Sequence, residues 1–192
     1  MSKEWIEKIK TEKIFLAQIP EKEITNEIAE VAWNELHDEM AFKYFDYTTF
    51  KNENIDLCLD SMSKYYIEPF KYLPDNLKDE FVSLSAVSIS GLALEFIPED
   101  IKNNNYKICQ TAVLNDPYSI KYVTNPDFIQ RGLGIIAVSL DSEFLKFIPE
   151  KLRNDDICFN AISKSPIVAY NYLPEQFKEK LNSGEYKNIG RK

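Results

Sequence analysis

Three cysteines and one histidine are the residues of this sequence that are best suited to chemistry. A cysteine can act as a nucleophile or a metal ligand, and a histidine can transfer protons near neutral pH. Cys58, Cys109 and Cys158 are separated by 51 and 49 residues, a spacing that fits neither a disulfide framework nor a zinc site. His37 lies in an acidic stretch, and the sequence places no Ser or Cys nucleophile to use it. We therefore predict no catalytic residue, no metal site and no cofactor.

Three pairs of adjacent acidic residues are the other candidates for chemistry. Paired carboxylates occur in glycosidases and in metal sites. Here each pair lies near the start of a predicted helix, where acidic side chains cap free N–H groups and complement the helix dipole. We interpret them as helix caps, and an effector subunit with a carboxylate or metal site formed across repeats stays open. The pairs are Asp79-Glu80, Glu99-Asp100 and Asp155-Asp156.

These candidates belong to a pattern that recurs about every 25 residues. Its first marker is an aromatic-aliphatic-Pro-acidic motif, whose aliphatic residues are Leu73, Ile97, Val123, Ile148 and Leu173. Its second marker is a small residue 11 or 12 positions earlier, and these residues are Ser61, Ala86, Ala112, Ala137 and Ala161. Three positions before the second marker another small residue recurs, namely Cys58, Ser83, Cys109, Gly134 and Cys158. Two markers kept in step over five units predict a repeated structural unit.

Each unit divides into two short helices. In residues 154–177, Asn154 or Asp155 can cap a first helix, and Pro166 can stand in the first turn of the second. Such short helices are marginal alone and must pack on their neighbours. The predicted fold is therefore all-α, a short helical-repeat solenoid of about six or seven αα hairpins. We predict a single helical-repeat domain over residues 1–192, with an atypical N-terminal cap (1–45), repeats (46–177) and a C-terminal cap and tail (178–192).

The sequence of these units resembles a known type of repeat. Residues 154–162, followed by Leu-Pro-Glu-Gln-Phe at 173–177, are similar to the functionally uncharacterised short αα repeats of bacteria and large viruses. The resemblance covers about residues 40–180 and departs from the pattern at Thr124-Asn125-Pro126. It implies a helical-repeat fold, and it brings no activity and no catalytic residues.

The charge is distributed unevenly along the chain, whose formal net charge is −8. Residues 1–100 carry 10 basic and 21 acidic side chains, and residues 101–192 carry 13 basic and 10 acidic ones. An acidic surface attracts a basic partner and repels nucleic-acid phosphates. We predict a non-enzymatic protein-binding module, of the inhibitor or immunity type, that occludes a basic partner through its acidic N-terminal half. The predicted contact residues are Glu27, Glu30, Glu35, Asp38, Tyr47, Tyr65 and Tyr66.

The basic C-terminal half leaves a second function open, association with nucleic acid. The side chains that could form a basic stripe there are Lys102, Lys107, Lys121, Arg131, Lys146, Lys151 and Arg153. For the compartment, no stretch approaches the ~20 apolar residues that span a bilayer, and the chain begins with charged residues rather than a secretory signal. With an odd number of cysteines, these features predict a cytoplasmic protein without a membrane partner.

Overall fold

The structure, a computed structural model, describes residues 2–47, 52–65 and 67–184, without the side chains of residues 52–54 and 63–65. Every element in this part of the chain is a helix, so the prediction of an all-α fold is confirmed. The α-helices are α1 (Ser2–Glu12), α2 (Asn26–Leu36), α3 (Asn52–Tyr65), α4 (Glu68–Tyr72), α5 (Glu80–Ile89), α6 (Glu99–Asn104), α7 (Tyr106–Asn115), α8 (Pro126–Phe128), α9 (Gly134–Leu140), α10 (Asp155–Lys164), α11 (Pro166–Tyr170) and α12 (Glu175–Ser183). Short 3₁₀ helices separate many of them, at Leu16–Gln18, Glu21–Glu23, Glu39–Lys43, Asp75–Leu77, Gly91–Phe96, Pro117–Tyr122, Ser142–Phe147 and Glu150–Leu152. None of the helices within the described ranges is both long enough and apolar enough to cross a membrane.

The chain divides into two compact units, Met1–Val82 and Ser83–Lys192, and the boundary falls inside α5. The prediction of one domain over residues 1–192, with its cap, repeats and tail, stays a prediction. In the first unit, α1 packs on α2, and α2 packs on the 3₁₀ helix Glu39–Lys43. Phe42 of that 3₁₀ helix is fully buried and meets the Trp33 ring edge-on at 4.8 Å. These aromatic rings hold α2 in place.

In the second unit, α-helices alternate with 3₁₀ helices, and capping residues set where they begin. Asn105 accepts a hydrogen bond from the Ile108 N–H at the start of α7, and Asn154 accepts one from the Ile157 N–H at the start of α10. Asp116 caps the following 3₁₀ helix in the same way. Three α-helices pack on the preceding 3₁₀ helix: α7 on Gly91–Phe96, α9 on Pro117–Tyr122 and α10 on Ser142–Phe147.

The residues that carry the two sequence markers lie in the cores of the two units. The aliphatic residue of the first marker is at most 6% exposed in each of the five predicted repeats. The small residue of the second marker is at most 4% exposed, and the three cysteines are buried. Burial every 25 or so residues is what stacked repeats require. The solenoid arrangement itself stays a prediction.

Two local features differ from the predicted pair of α-helices. The second helix is a 3₁₀ helix at three places, where it spans six residues that begin after a capping position in extended conformation. A π-helix, Ile129–Leu133, precedes α9, and within it Gly132 has a φ of 131°, which favours glycine. At the other end, the predicted tail 178–192 begins inside α12, which ends at Gly184 in a left-handed conformation.

Candidate functional site

The acidic residues of α2 form an exposed face on a well-anchored helix. Thr25 caps α2 by accepting a hydrogen bond from the Ile28 N–H, and His37 ends it in a left-handed conformation with a φ of 52°. The apolar residues of α2 face the core of the first unit, namely Ile28, Ala29, Ala32 and Trp33. Glu27 and Glu30 lie on the opposite side and are exposed. We call Glu27, Glu30 and Glu35 the acidic face of α2.

Neighbouring side chains orient this face while neutralising little of its charge. The Asn26 side-chain amide donates a hydrogen bond to Glu30 Oε1 at 2.8 Å. Lys13 Nζ lies 3.7 Å from Glu35 Oε2, and both side chains are more than a third exposed. An ion pair of this length in solvent contributes about 0–1 kcal/mol. Glu27 and Glu30 therefore keep a negative potential directed towards solvent.

A second group of carboxylates lies nearby in the sequence, around Glu39. Burial raises the pKa of Glu39, and the negative charges of Glu68 and Asp38 raise it further. By contrast, the ammonium of Lys43 donates a hydrogen bond to Glu21 at 2.7 Å and lowers the pKa of that carboxyl. Among the described residues of the first unit, the negative charge of Glu21 is therefore balanced by a lysine, whereas Glu39 lies near other carboxylates.

Asp38 has a different role from the one that we predicted. Its side chain is only 6% exposed, so it cannot form part of a contact surface. Its Oδ2 accepts a hydrogen bond from the Leu16 N–H at 2.6 Å, and its Oδ1 accepts one from the Met40 N–H at 3.1 Å. Asp38 therefore caps a 3₁₀ helix and holds a second chain segment, which makes it a structural residue.

The predicted tyrosines add little to the surface that the structure describes. Tyr47 is half-buried, and its hydroxyl donates a hydrogen bond to the Phe42 carbonyl. Burial raises the pKa of Tyr47 above its usual range. Tyr66 lies outside the described residues, and so does the side chain of Tyr65. Their predicted contact role stays a prediction.

The cysteines lie in environments that disfavour the reactive thiolate. Burial raises the pKa of Cys58 to about 12, and of Cys109 and Cys158 to about 11 each. Cys109 and Cys158 each approach a carbonyl oxygen of the preceding segment, at Lys102 and Arg153. In residues 2–47, 52–65 and 67–184, no group of three or more His, Cys, Asp or Glu side chains could hold a metal ion.

All three pairs of carboxylates lie at the starts of helices, as predicted. Asp79 accepts a hydrogen bond from the Val82 N–H at 2.8 Å, so it caps the start of α5. Glu99 stands in the first turn of α6 and forms an ion pair with Lys102 at 2.7 Å. The third pair, Asp155 and Asp156, occupies the first turn of α10. Asp79 is therefore a helix cap as predicted, and the acidic residues of the other two pairs lie in first turns, where they complement the helix dipole.

Several basic residues of the second unit already contact other groups of the protein, so fewer can bind nucleic acid than the sequence predicts. Lys102 is buried, and Lys146 forms an ion pair with Glu143 at 2.6 Å. The guanidinium of Arg153 donates hydrogen bonds to the carbonyl oxygens of Ile148 and Tyr172, at 2.7 and 2.6 Å. Lys107 and Lys151 are exposed. Lys121 lies over the ring of Tyr122, and Arg131 lies over that of Tyr106.

A recurring buried cation is a feature that our reading of the sequence missed. A basic residue follows the Pro of the motif by four positions, and an acidic residue follows it by one. Lys78 pairs with Asp75 at 3.0 Å, and Lys102 pairs with Glu99 at 2.7 Å; both lysines are buried. The regular spacing of the acidic and basic residues after the Pro could have revealed these pairs in the sequence. Because both atoms of each pair belong to the same short turn, the pairs stabilise that turn rather than form a binding site.

An open cleft lies between two of these Pro-acidic turns in the second unit. Its volume is about 630 Å³, and it is lined by Glu150, Lys151, Arg153, Pro174, Glu175 and Gln176. Its lining carries side chains of both charges, and its surface is about equally polar and apolar. Arg153 already donates hydrogen bonds to backbone carbonyls, so its guanidinium is engaged within the protein.

A match to a family model covers two segments that lie almost entirely in the second unit. Two segments, residues 79–128 and 135–178, match the model of one family. That family is described as Domain of unknown function (DUF4116). The first DUF4116 segment begins at the residue that caps α5, and the second ends within α12. The acidic face of α2 lies outside both segments. Comparisons with curated proteins and with solved structures found no match.

Proposed function

We propose that this chain is a non-enzymatic protein-binding module, built as a helical-repeat solenoid, and that the acidic face of α2 contacts a basic surface of its partner. The observation that carries this proposal is the exposure of Glu27 and Glu30 on a helix whose other side is buried. A helix held by its core presents these carboxylates in a fixed arrangement, which reduces the entropy lost on binding. Such a module acts by covering its partner, as an inhibitor or immunity-type protein does.

The charge of the first hundred residues supports a basic partner. They carry 21 acidic side chains against 10 basic ones, a net charge of −11. Complementary potentials accelerate association with a basic protein and disfavour acidic competitors. Because exposed charges are screened by salt, an interface of this kind weakens as the ionic strength rises.

Nucleic acid is the alternative partner. The placement of the basic side chains supports this alternative less well than a protein partner. A nucleic-acid surface needs several exposed Lys and Arg side chains along one stripe. Lys102 is buried, Lys146 is paired, and Arg153 is bound to carbonyl oxygens, so three of the seven candidates are already engaged. We also propose that the protein works in the cytoplasm, because its three cysteines are free thiols.

The experiment compares two charge-reversed variants with the wild-type chain. Glu27→Lys/Glu30→Lys changes the acidic face of α2, and the control Glu150→Lys/Glu179→Lys changes two exposed residues of the second unit. Each double substitution moves the formal net charge from −8 to −4, since each Glu→Lys change adds two. The three proteins are immobilised and used to capture partners from a host lysate, and the affinity for the purified partner is then measured.

We expect wild-type protein and the control to capture the same basic protein, and the α2 variant to bind it at least about tenfold more weakly. The wild-type affinity should fall when salt is raised from about 0.05 M to about 0.3 M. Equal binding by all three proteins, or binding that does not depend on salt, would show that the acidic face of α2 is not the contact surface.

A further inference from the structure

Arg131 of the second unit is exposed and stacks on a tyrosine of the preceding predicted repeat. Its guanidinium carbon lies 4.8 Å from the centre of the Tyr106 ring. Both residues stand six positions before the second-marker alanine of their own repeat, and Tyr106 is half-buried. A cation is attracted to the face of an aromatic ring, and a planar guanidinium also stacks on it. The contact therefore fixes where the guanidinium of Arg131 lies.

The charge of Arg131 is not neutralised by an ion pair with any described residue. Asp127 stands four residues earlier and is exposed, but it forms no such pair with the arginine. At the same position of two other predicted repeats stand Glu80 and Asp155, so the cation replaces an acidic residue here. Lys107 of α7 is exposed and also forms no ion pair within the described part of the chain. Both cations therefore keep hydrogen-bond donors that are available to a ligand.

The backbone that carries this arginine departs from the regular pattern of the repeats. Asn105 and Asn154 cap the first helix of their repeats, whereas Gln130, at the same position, lies inside the π-helix Ile129–Leu133. Within that π-helix, Gly132 has a φ of 131°, which favours glycine. π-Helices are rare, and single turns of them occur frequently at functional sites. The departure from the pattern therefore marks this turn as a candidate for binding.

Gly132 also leaves space beside the hydroxyl of the tyrosine. Apart from its own helix, a Cβ placed on Gly132 would have the Tyr106 Oη as its neighbour, at 3.8 Å. The Tyr106 hydroxyl forms no hydrogen bond with a described residue. This hydroxyl and the guanidinium of Arg131 are donors that flank the same ring, and the ammonium of Lys107 belongs to the adjacent residue. We call Tyr106, Lys107 and Arg131 the Arg131 patch.

We propose that the Arg131 patch binds an acidic segment of a partner protein, and that the Arg131 guanidinium donates two hydrogen bonds to one Asp or Glu carboxylate. The planar fork of an arginine matches a carboxylate, and a stacked arginine loses less conformational freedom on binding. Nucleic acid fits the patch less well, because it needs a stripe of cations and free ring faces, and Arg131 covers one face of the Tyr106 ring. This inference does not depend on the function proposed for the acidic face of α2.

The test follows the patch by NMR spectroscopy of the isotope-labelled full chain at low salt. The probe is an acetylated tetraglutamate peptide, and the readouts are the Arg131 Nε–Hε signal and the Gly132 amide signal. The variant Arg131→Gln removes the charge and the fork, and its binding is read from Gly132. Lys121→Gln is the matched control, because Lys121 is an exposed cation whose Nζ lies 4.5 Å from the centre of the Tyr122 ring. Circular dichroism shows whether both variants keep the helical content of the wild type.

We expect saturable shifts for the wild type and for Lys121→Gln, with a Kd on the order of 1 mM, and at least about tenfold weaker binding to Arg131→Gln. The proposal is wrong if tetraglutamate gives no saturable shift of the Arg131 and Gly132 signals, or if Lys121→Gln weakens binding as much as Arg131→Gln does. An oligothymidylate of the same charge that binds through Arg131 more tightly than tetraglutamate would assign the patch to nucleic acid and would also overturn the proposal.

Discussion

The Asp38 carboxylate accepts a hydrogen bond from the Leu16 N–H at 2.6 Å, across 22 residues of sequence, inside the first unit. Both residues are buried, so neither group can exchange this partner for water without the structure opening. A residue that stands in the most acidic stretch of the chain is thus part of the core. The contrast with exposed Glu27 and Glu30 separates structural carboxylates from those available for binding.

We predict that Asp38→Asn lowers the free energy of unfolding by about 1–3 kcal/mol. The amide keeps one acceptor oxygen, but its NH₂ group must face the Leu16 or the Met40 N–H, so one buried donor loses its partner. Chemical denaturation measures the change, with Asp56→Asn as the control at an exposed position. Equal stability of the two variants would contradict the structural role of Asp38.

Gly91→Ala should destabilise the second unit by about 1–3 kcal/mol. The new Cβ would lie 2.3 Å from the Ala112 carbonyl oxygen and 2.8 Å from the Asp116 nitrogen, and both are backbone atoms that cannot move aside alone. Gly134→Ala is the comparison, because its closest contact is Ile157 Cδ1 at 2.7 Å, the end of a flexible side chain. Thermal unfolding followed by circular dichroism should show the larger decrease for Gly91→Ala.

The ion pair between buried Lys102 and exposed Glu99 should respond asymmetrically to substitution. Glu99→Gln leaves the buried ammonium without its carboxylate, and we expect a loss of about 1 kcal/mol because solvent screens the exposed carboxylate, whereas Lys102→Met should cost less than this. The hydrogen bond from Lys102 lowers the pKa of Glu99 below its ordinary value of 4.5. Its contribution is therefore present above pH 4.5 and is lost as the pH falls through the lowered pKa.

Denaturation of the wild type and of Glu99→Gln between about pH 3 and 7 measures this contribution. The difference between the two proteins should shrink towards acid pH. A difference that stays constant over the range would show that the ion pair is not its origin. Glu175→Gln is a milder comparison, because the side chain of its partner Lys178 is 18% exposed.

The three cysteines should react slowly with a thiol reagent in the folded protein. Burial raises their pKa values from 9.0 to about 11 or 12, so at pH 8 the thiolate fraction falls by about a hundredfold or more. The neutral thiols stabilise the fold below pH 9, and this contribution is lost as the pH rises through 11 to 12. Labelling followed by mass spectrometry should give three fast sites in denaturant, and fast labelling of all three without denaturant would contradict their burial.

Much of the fold could be predicted from the spacing of residues along the chain. The burial of Leu73, Ile97, Val123, Ile148 and Leu173 followed from one motif, because a residue in the same position of each repeat has the same environment. The cap at Asn154 could be predicted for a local reason as well, since a capping hydrogen bond spans only three residues. The π-helix before α9 could not, because it depends on a left-handed glycine at Gly132.

The candidate sites were harder to predict, because availability depends on contacts between distant segments. Asp38, Glu27 and Glu30 look alike in the sequence, and only the approach of Leu16 shows that the first is structural. Ile167 of α11 is 85% exposed, and its exposure did have a signal in the aligned repeats, where Gly91, Pro117 and Ser142 hold the same position. Ile167 differs from the glycine, proline and serine that occupy this position in the other units.

By itself, the sequence determined that the protein is helical, where its short helices begin, and which residues of each predicted repeat lie inside. These properties depend on local hydrogen bonds and on apolar periodicity, and both are encoded within about 25 residues. Tertiary structure alone decided which carboxylates are buried, such as Asp38, and which are exposed, such as Glu27 and Glu30. The reason is that the solvent exposure of a side chain depends on whichever segment packs against it, and that segment can lie far away in the sequence.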